Sequence, residues 1–418
     1  MSGRRVVVTG LGAVTPVGND VATTWRALLD GRSGGGPITR FDAERFSVRF
    51  ACEVKGFDVS QYMDRKEAKR ADLYTQYAMA ASVQAMRDAG FGDGTGPGAG
   101  YVPEETGVVI GSGIGGLRTM EEQHAGYLAH GPKRISPFFV PMFISDIAAG
   151  VVSMRFAAKG PNYATVSACS TSAHAVGAGF RAVQYGEADV MIVGGSEAAV
   201  TPMAIGGFAS MGALSTRNDS PETASRPFDA TRDGFVLGEG AGVVILEELE
   251  HARARGARIY GELVGYSATG DAYHLTGQPE AHEGLQRSMR RALRDAGLAP
   301  EDVDYVNAHG TSTPLNDPNE AKAIRAVFGE HADRLLVSST KSSTGHMLGA
   351  AGVVELIACA MAVTEGVVPP TINHTTPDPE ITLDVVPNTP RERRVRVALS
   401  NSSGFGGHNV TLALRSYE

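Results

Sequence analysis

Val166-Ser-Ala-Cys-Ser-Thr-Ser-Ala-His-Ala-Val-Gly-Ala178 and Ser338-Ser-Thr-Lys-Ser-Ser-Thr-Gly-His-Met-Leu-Gly-Ala350 are the two stretches on which the reading of this chain turns. Set against each other at an offset of 172 residues (338 − 166), Ser167/Ser339, Ser170/Ser342, His174/His346, Gly177/Gly349 and Ala178/Ala350 coincide. Each stretch reads as a strand, a turn of small residues and a helix. Coincidence between two segments rich in Ser, Gly and Ala is one account. The other is a pair of related halves, divided near residue 255, in which Cys169 of one half faces Lys341 of the other. Related shells bearing different functional groups are what an asymmetric site between duplicated halves requires.

The rest of the chain fits a large α/β protein. Strand-like apolar runs (Val6–Thr9, Gly107–Ile110, Asp189–Val193, Val243–Leu246, Tyr305–Asn307, Val395–Leu399) alternate with helical stretches (Leu73–Ala89, Ala173–Tyr185, Gly284–Ala296, Asn319–Phe328). Gly90, Gly186 and Gly297 stand where helices stop. The 52 glycines among 418 residues exceed the ~7% of an average protein and show no three-residue period, which excludes collagen. A formal net charge of −8 gives no global positive field for nucleic acid. The apolar helix Gly352–Val363 contains Glu355 and is too short to span a bilayer. No signal-peptide pattern opens the sequence. Cys52, Cys169 and Cys359 are too few for a disulfide framework, so a reducing, cytoplasmic setting without membrane contact is expected.

Three positions carry chemistry. Cys169 stands between an apolar run and a helix start, where the positive end of a helix favours thiolate; a small buried cysteine is the plainer reading, and the one that suits Cys52 and Cys359. His309 ends the run Asp304-Tyr-Val-Asn-Ala-His309, and His346 starts a glycine-flanked helix. Strand-to-helix junctions are where α/β folds place ligands. Neither histidine has metal-ligand spacing, so zinc is not expected. Gly111-Ser-Gly113-Ile-Gly-Gly116 matches GxGxxG, but no acidic residue follows near 20 positions on; close packing of a turn is the better reading.

At these residues the chain resembles the β-ketoacyl-acyl-carrier-protein synthases of the thiolase superfamily, most of all the type II bacterial fatty-acid condensing enzyme. The resemblance runs from Arg5-Val-Val-Val-Thr-Gly-Leu-Gly to Ser402-Ser-Gly-Phe-Gly-Gly-His-Asn409 and includes Ser167-Ala-Cys-Ser-Thr-Ser172, His309-Gly-Thr-Ser-Thr-Pro314, Lys341-Ser-Ser-Thr-Gly-His346, Ser225-Arg-Pro-Phe-Asp229 and Asp233-Gly-Phe-Val-Leu-Gly-Glu-Gly240. It implies a five-layer αβαβα fold of two duplicated halves, residues 1–255 carrying the nucleophile and 256–418 carrying both histidines, and a homodimer. The implied reaction is decarboxylative Claisen condensation. Cys169 takes an acyl chain from acyl carrier protein, and His309 and His346 meet the charge that develops when the malonyl group loses CO2.

By the same resemblance Lys341 and Glu355 position the histidines, and the N–H groups of Cys169 and Phe405 form the oxyanion hole. Thr311 and Thr313 meet the phosphopantetheine arm, although turn chemistry suits them equally. Ile114, Met203 and Phe208 line the acyl tunnel, ordinary core packing being the alternative. Glu355 could hold a monovalent cation with Asn307 and Asn401; no other metal and no resident cofactor are implied, since the phosphopantetheine arrives on the carrier. The cluster Arg65, Lys66, Lys69 and Arg70, with Lys133 and Arg134, matches the family's carrier-docking surface. Gly212 replaces an arginine found in some relatives and leaves that contact in doubt. A polyketide-type ketosynthase shares the triad. The non-catalytic chain-length partner lacks the cysteine, a Cys–His hydrolase needs a general base oriented onto the thiol, and a thiolase would carry a second cysteine where Phe405 stands.

Overall fold

The computed structural model describes residues 3–94 and 98–417. Ten strands form one continuous sheet: β1 (Val6–Val14), β2 (Thr106–Gly111), β3 (Asn162–Tyr163), β4 (Val190–Glu197), β5 (Gly240–Glu248), β6 (Gly261–Gly270), β7 (Tyr305–Asn307), β8 (Leu336–Ser338), β9 (Val397–Gly404) and β10 (His408–Arg415). Their spatial order is β8-β7-β9-β10-β6-β1-β5-β4-β2-β3. The first five strands lie as third-second-fourth-fifth-first, and the last five repeat that order. The pairings repeat too. In each half, second with third and second with fourth are parallel, while fourth with fifth and fifth with first are antiparallel. Such a coincidence of order and direction removes chance as the account of the sequence repeat. The halves join where Val6, Val7 and Val8 of β1 pair antiparallel with Leu263, Glu262 and Gly261 of β6.

Helices fill three layers around the two half-sheets. Helices α1 (Leu73–Asp88) and α2 (Ile147–Phe156) cover the outer face of the first half; α3 (Thr171–Tyr185) and, after α4 (Pro202–Ser210), α5 (Glu283–Ala296) and α6 (Asn316–Phe328), the 15-residue α7 (Ala351–Glu365) complete the set. Helices α3 and α7 lie between the half-sheets and touch each other, whereas α5 and α6 cover the second half. This is the five-layer αβαβα arrangement that the resemblance implies.

The duplication holds, but its register differs from the one read in the sequence. A three-residue helical turn, Ala168–Ser170, precedes α3, and its counterpart, Leu348–Ala350, precedes α7. Both helices have 15 residues. The structural offset is therefore 351 − 171 = 180, and Cys169 faces Gly349 rather than Lys341. The shift arises because the second half inserts a short helix, Lys341–Thr344, ahead of its turn. For the same reason His346 does not start a helix: it lies between Gly345 and that turn, bridged to Leu237. Strand β9 also runs five residues further than its apolar signal, through Ser400–Ser403, because those polar residues are buried on both faces of the strand, Ser402 against the central helix α7 and Asn401 against Met289 of α5. The stretch Leu348–Glu365 is long and apolar enough to cross a membrane, but it is mostly buried in the fold.

Close approach of α1 to β1 rests on missing side chains. A methyl group at Gly12 would lie 1.9 Å from the Ala81 carbonyl oxygen, and one at Gly10 would lie 2.2 Å from that of Ala85. Backbone blocks both positions, so relief requires moving the helix. Gly12→Ala is expected to cost about 2 kcal/mol or more, read as a lower denaturant midpoint with unchanged slope.

Candidate active site

A cavity of about 480 Å³ opens between the halves, lined by Cys169, His309, His346, Phe405, Ile114, Phe208, Thr311 and Thr313 among others. Most of the residues expected at the site from sequence thus converge on one space. Met203 does not join them. It lies in the first turn of α4 and is 67% exposed; Phe208 and Met211, further along that segment, supply the apolar wall instead. Gly212 has a φ of +68° and also lines the mouth.

Cys169 occupies the helical turn that feeds α3, and the residue before it, Ala168, has a φ of +50°. A non-glycine residue in that region stores strain of ~1–3 kcal/mol, here in the turn that presents the thiol. The N–H groups of Cys169 and Phe405 both favour the anionic form of the sulfur. Phe405 can come so close because its neighbour is Gly404, where a methyl group would lie 2.7 Å from the Ser167 carbonyl oxygen and 3.2 Å from the Cys169 nitrogen. A helix start favours thiolate, but burial pushes the Cys169 thiol up to about 12, against the pull of Lys341 and the two N–H groups. Desolvation outweighs the helix terminus, so the proton must leave as the sulfur attacks.

The two imidazoles can receive it. His309 and His346 meet edge to face, with ring centroids 5.4 Å apart, and Phe235 stands in the same relation to His346. Burial, reinforced by Lys341, holds both histidines well below the usual range, so both are neutral at pH 7. Lys341 is itself buried and paired with buried Glu355 on α7. Burial pushes the Glu355 carboxyl up to about 7, against the lysine's charge.

The oxygens Glu355 Oε2 and Asn307 Oδ1 have no hydrogen-bond partner among the described residues, which suits a cation or a water. Asn401 does not complete that set with its side chain. Its Oδ1 accepts from Thr411 and its Nδ2 meets Met289 Sδ, on the face of β9 opposite Ser400 and Ser402. Among the described residues no group of three or more His, Cys, Asp or Glu is arranged to hold a metal.

Two buried carboxylates at this end of the cavity were missed in the sequence. Glu320 accepts from the N–H groups of His309 and Gly310, each at 2.8 Å, and Asp317 accepts from Phe228 N–H at 2.9 Å. A signal existed: Glu320 shares its helix face with Ile324 and Phe328 at i+4 and i+8, an acid on an apolar stripe. Thr311 and Thr313 hydroxyls bond each other at 3.1 Å. Arg65, Lys66, Lys69 and Arg70 are all exposed, on and just after the helix Arg65–Ala68 that Asp64 caps. The Arg70 guanidinium lies 4.3 Å over the Phe138 ring, which draws this segment toward exposed Lys133 and Arg134.

An αβαβα fold with a buried cysteine at the first helix of the core, two neutral histidines across the cavity and two N–H groups that favour the sulfur anion defines a thiol acyltransferase of the condensing kind. The chain matches the N-terminal domain of the beta-ketoacyl synthases over residues 3–252 and their C-terminal domain over residues 260–375, and it belongs to that family. It is 54% identical over 415 residues to a protein of Synechocystis named 3-oxoacyl-[acyl-carrier-protein] synthase 2, covering 99% of each chain. To proteins of that name from Staphylococcus aureus and Coxiella burnetii it is 52% and 51% identical, again over 99% of each. Among solved structures it superposes with a TM-score of 0.91 on a type II polyketide ketosynthase in complex with its acyl carrier protein, 36% identical over the whole of both chains. The ishigamide ketosynthase/chain length factor gives the same score at 37% identity.

Histidines held neutral in the fold ionise near pH 6.5 once unfolded. In that range these two groups bind more protons in the unfolded chain, so their contribution to stability falls as pH drops from about 7 to about 5, while Glu355 and Glu197, pushed up to about 7 by burial, act in the opposite sense. Denaturant melts of wild type and of the double variant His309→Asn/His346→Asn, compared across that range, are expected to show the variant gaining on the wild type as pH falls. A difference that stays constant across the range contradicts the assignment.

Proposed function

We infer that this chain is a β-ketoacyl-acyl-carrier-protein synthase of type II, an acyltransferase that lengthens fatty acyl chains by decarboxylative Claisen condensation. The observation that carries this reading is the convergence of Cys169, His309, His346 and the Phe405 N–H on one cavity. The relatives that share half or more of its residues bear that name, while the polyketide enzymes stand at 36–37%.

In the proposed sequence the Cys169 sulfur attacks the acyl thioester as its proton passes to a neutral imidazole. The carrier's thiol leaves with a proton, and the acyl chain lies along Ile114 and Phe208. Malonyl carrier protein then enters along Thr311 and Thr313. Its carbon–carboxylate bond breaks, CO2 departs, and the electron pair moves onto the thioester oxygen, where N–H donors on His309 and His346 meet the charge. The resulting carbon nucleophile attacks the Cys169 thioester. Its oxyanion is held by the N–H groups of Cys169 and Phe405 and collapses to release the β-ketoacyl product and the sulfur, which takes up a proton from solvent to return to the thiol. Losing one such donor typically costs 10²–10³ in rate. The electron pairs come from the Cys169 sulfur and from the malonyl carbon–carboxylate bond, so the proposed steps call on no resident cofactor. A hydrolase would also need a water held for attack on the acyl thioester; two neutral imidazoles packed edge to face, with Phe235 against one of them, suit enolate stabilisation better.

Acyl carrier protein is the partner in this reading, docked on Arg65, Lys66, Lys69, Arg70, Lys133 and Arg134 of an otherwise acidic chain. A homodimer is supported by exposed apolar side chains, Tyr163 of the edge strand β3 with Val166, Met154 and Tyr185, at 47%, 61%, 71% and 74% exposure; exposed apolar groups of this size mark interaction surfaces. Three unpaired cysteines suit the cytoplasm.

Cys169→Ala is expected to abolish acyl transfer and elongation while leaving malonyl decarboxylation, which the histidines perform. Mass spectrometry of the products from acyl- and malonyl-carrier protein reads both; elongation by the variant would remove Cys169 from its role. Charge reversal at Arg65, Lys66 and Lys69 to Glu is expected to raise KM for carrier-bound substrate and to leave small pantetheine thioesters nearly unchanged. Added salt should weaken wild-type use of the carrier more than the variant's, because exposed charges act on encounter and are screened over ~8–10 Å. Equal effects on both substrates would make the cluster a solvated surface only.

A further inference from the structure

The glycine-rich loop after β2 cradles an anion, and the anion is the chain's own. Glu197, the last residue of β4, is fully buried. Its carboxylate accepts four hydrogen bonds: from Ser112 Oγ at 2.9 Å, Gly113 N–H at 2.9 Å, Ile114 N–H at 3.2 Å and Gly349 N–H at 3.0 Å. The first three belong to one loop, which puts Gly113 and Ile114 into the cavity wall. The fourth belongs to the turn that follows His346 and puts Leu348 into the same wall. The two glycines meet over the carboxylate. A methyl group at Gly113 would lie 2.7 Å from Glu197 Oε2, and one at Gly349 would lie 2.4 Å from the Gly113 nitrogen. The pattern that reads as a weak nucleotide motif is thus a nest for an internal carboxylate.

We propose that Glu197 is a positioning residue that ties the acyl-lining loop Ser112–Ile114 to the turn carrying Leu348 and Gly349, so that the channel for the acyl chain and the segment holding His346 are set by one group. The proposal deepens the condensing-enzyme reading and rests on it. Four donors converge on one buried carboxylate, and the largest influences on it are burial and those four hydrogen bonds rather than a Lys or Arg. Burial pushes the carboxyl up to about 7, the hydrogen bonds holding it down. Its charge is also felt by Cys169, which it raises. A glutamine here is nearly isosteric, but whichever way its amide turns its N–H2 group meets at least one of the N–H donors, Ile114 on one side or Gly113 and Gly349 on the other, so it breaks the nest without emptying the site.

The test is acylation of Cys169 by acetyl- and dodecanoyl-pantetheine thioesters, followed by intact-protein mass, for wild type, Glu197→Gln and Ser112→Ala, with thermal melts to confirm folding. In Glu197→Gln the kcat/KM for the dodecanoyl group is expected to fall about tenfold or more, and that for the acetyl group by less than about threefold, since only the long chain runs past Ile114. Ser112→Ala, which removes one of the four donors, should move the ratio the same way by less; it decides the matter if the glutamine variant does not fold. Equal loss for both chain lengths, or none for either, overturns the proposal. A wild type that acylates Cys169 but forms no β-ketoacyl product would overturn the condensing reading and leave this comparison intact.

Discussion

The site exists because two helix starts meet at the centre of the molecule with almost no side chains between them. The contact is built from Ser172 and Ala173 of α3 and Gly352 and Val353 of α7. A methyl group at Gly352 would stand 2.9 Å from the Ala173 Cβ and 2.8 Å from Ser402 Oγ, and Ser172 Oγ accepts from the Val353 N–H at 3.0 Å. Gly195 of β4 extends the same contact, its missing Cβ being 2.7 Å both from Ser172 Cβ and from the Gly349 carbonyl oxygen. Tight packing of this kind transmits position with little compliance. It sets the turn that carries Cys169 against the turn that follows His346, and a cavity between the halves follows from it.

Around that contact the chain keeps an unusual amount of charge dry. Lys341, Glu355, Glu320, Asp317 and Glu197 are all nearly or wholly buried. Burial of unpaired charge is costly, and each of these has a specific compensation: the Lys341–Glu355 pair, or backbone N–H groups donated by loops that bear functional residues. Buried ion pairs are weak contributors to stability but costly to break on one side only. Their value here is directional. The Lys341 charge helps keep both imidazoles neutral, and Glu320 fixes the backbone of His309 without touching its ring. The price is a cysteine whose thiol is also disfavoured as an anion, which makes the neutral histidines the natural proton acceptors.

The parts of this arrangement that were legible in the sequence are those fixed by local chemistry. Strand β7 is read correctly to the residue as Tyr305–Asn307, and α1, α3 and α5 to within a few residues at each end, because their apolar periodicity is uninterrupted and glycine stops them. Cys169, His309 and His346 are legible because reactive residue types stand in small-residue turns, whereas Phe405 is reached only through the family resemblance. What depends on long-range packing was not legible. The repeat register is misread because a short helix is inserted in one half, and serine and glycine composition masks the shift. Met203 is assigned to the cavity although its place in the first turn of α4 directs it outward, and Asn401 to a cation set although strand alternation turns it away from Glu355. Glu197 and Glu320 are invisible as site residues because nothing local marks an acid as buried.

The corrected register explains how one ancestral half became two different contributions to a single reaction. Ala168 and Leu348, 180 residues apart, have φ of +50° and +45°. Each opens a three-residue turn and a 15-residue helix. Both halves therefore keep the same strained elbow, and strain at matched positions argues for inheritance of the geometry before its use. In the first half the elbow carries the thiol. In the second the equivalent position is Gly349, whose N–H goes to Glu197, and the inserted residues before it supply Lys341 and His346. A side chain at Gly349 would collide with the Gly113 backbone, so a second nucleophile at that point is sterically excluded. The two-fold fold becomes a one-sided site through that single backbone contact and one inserted turn.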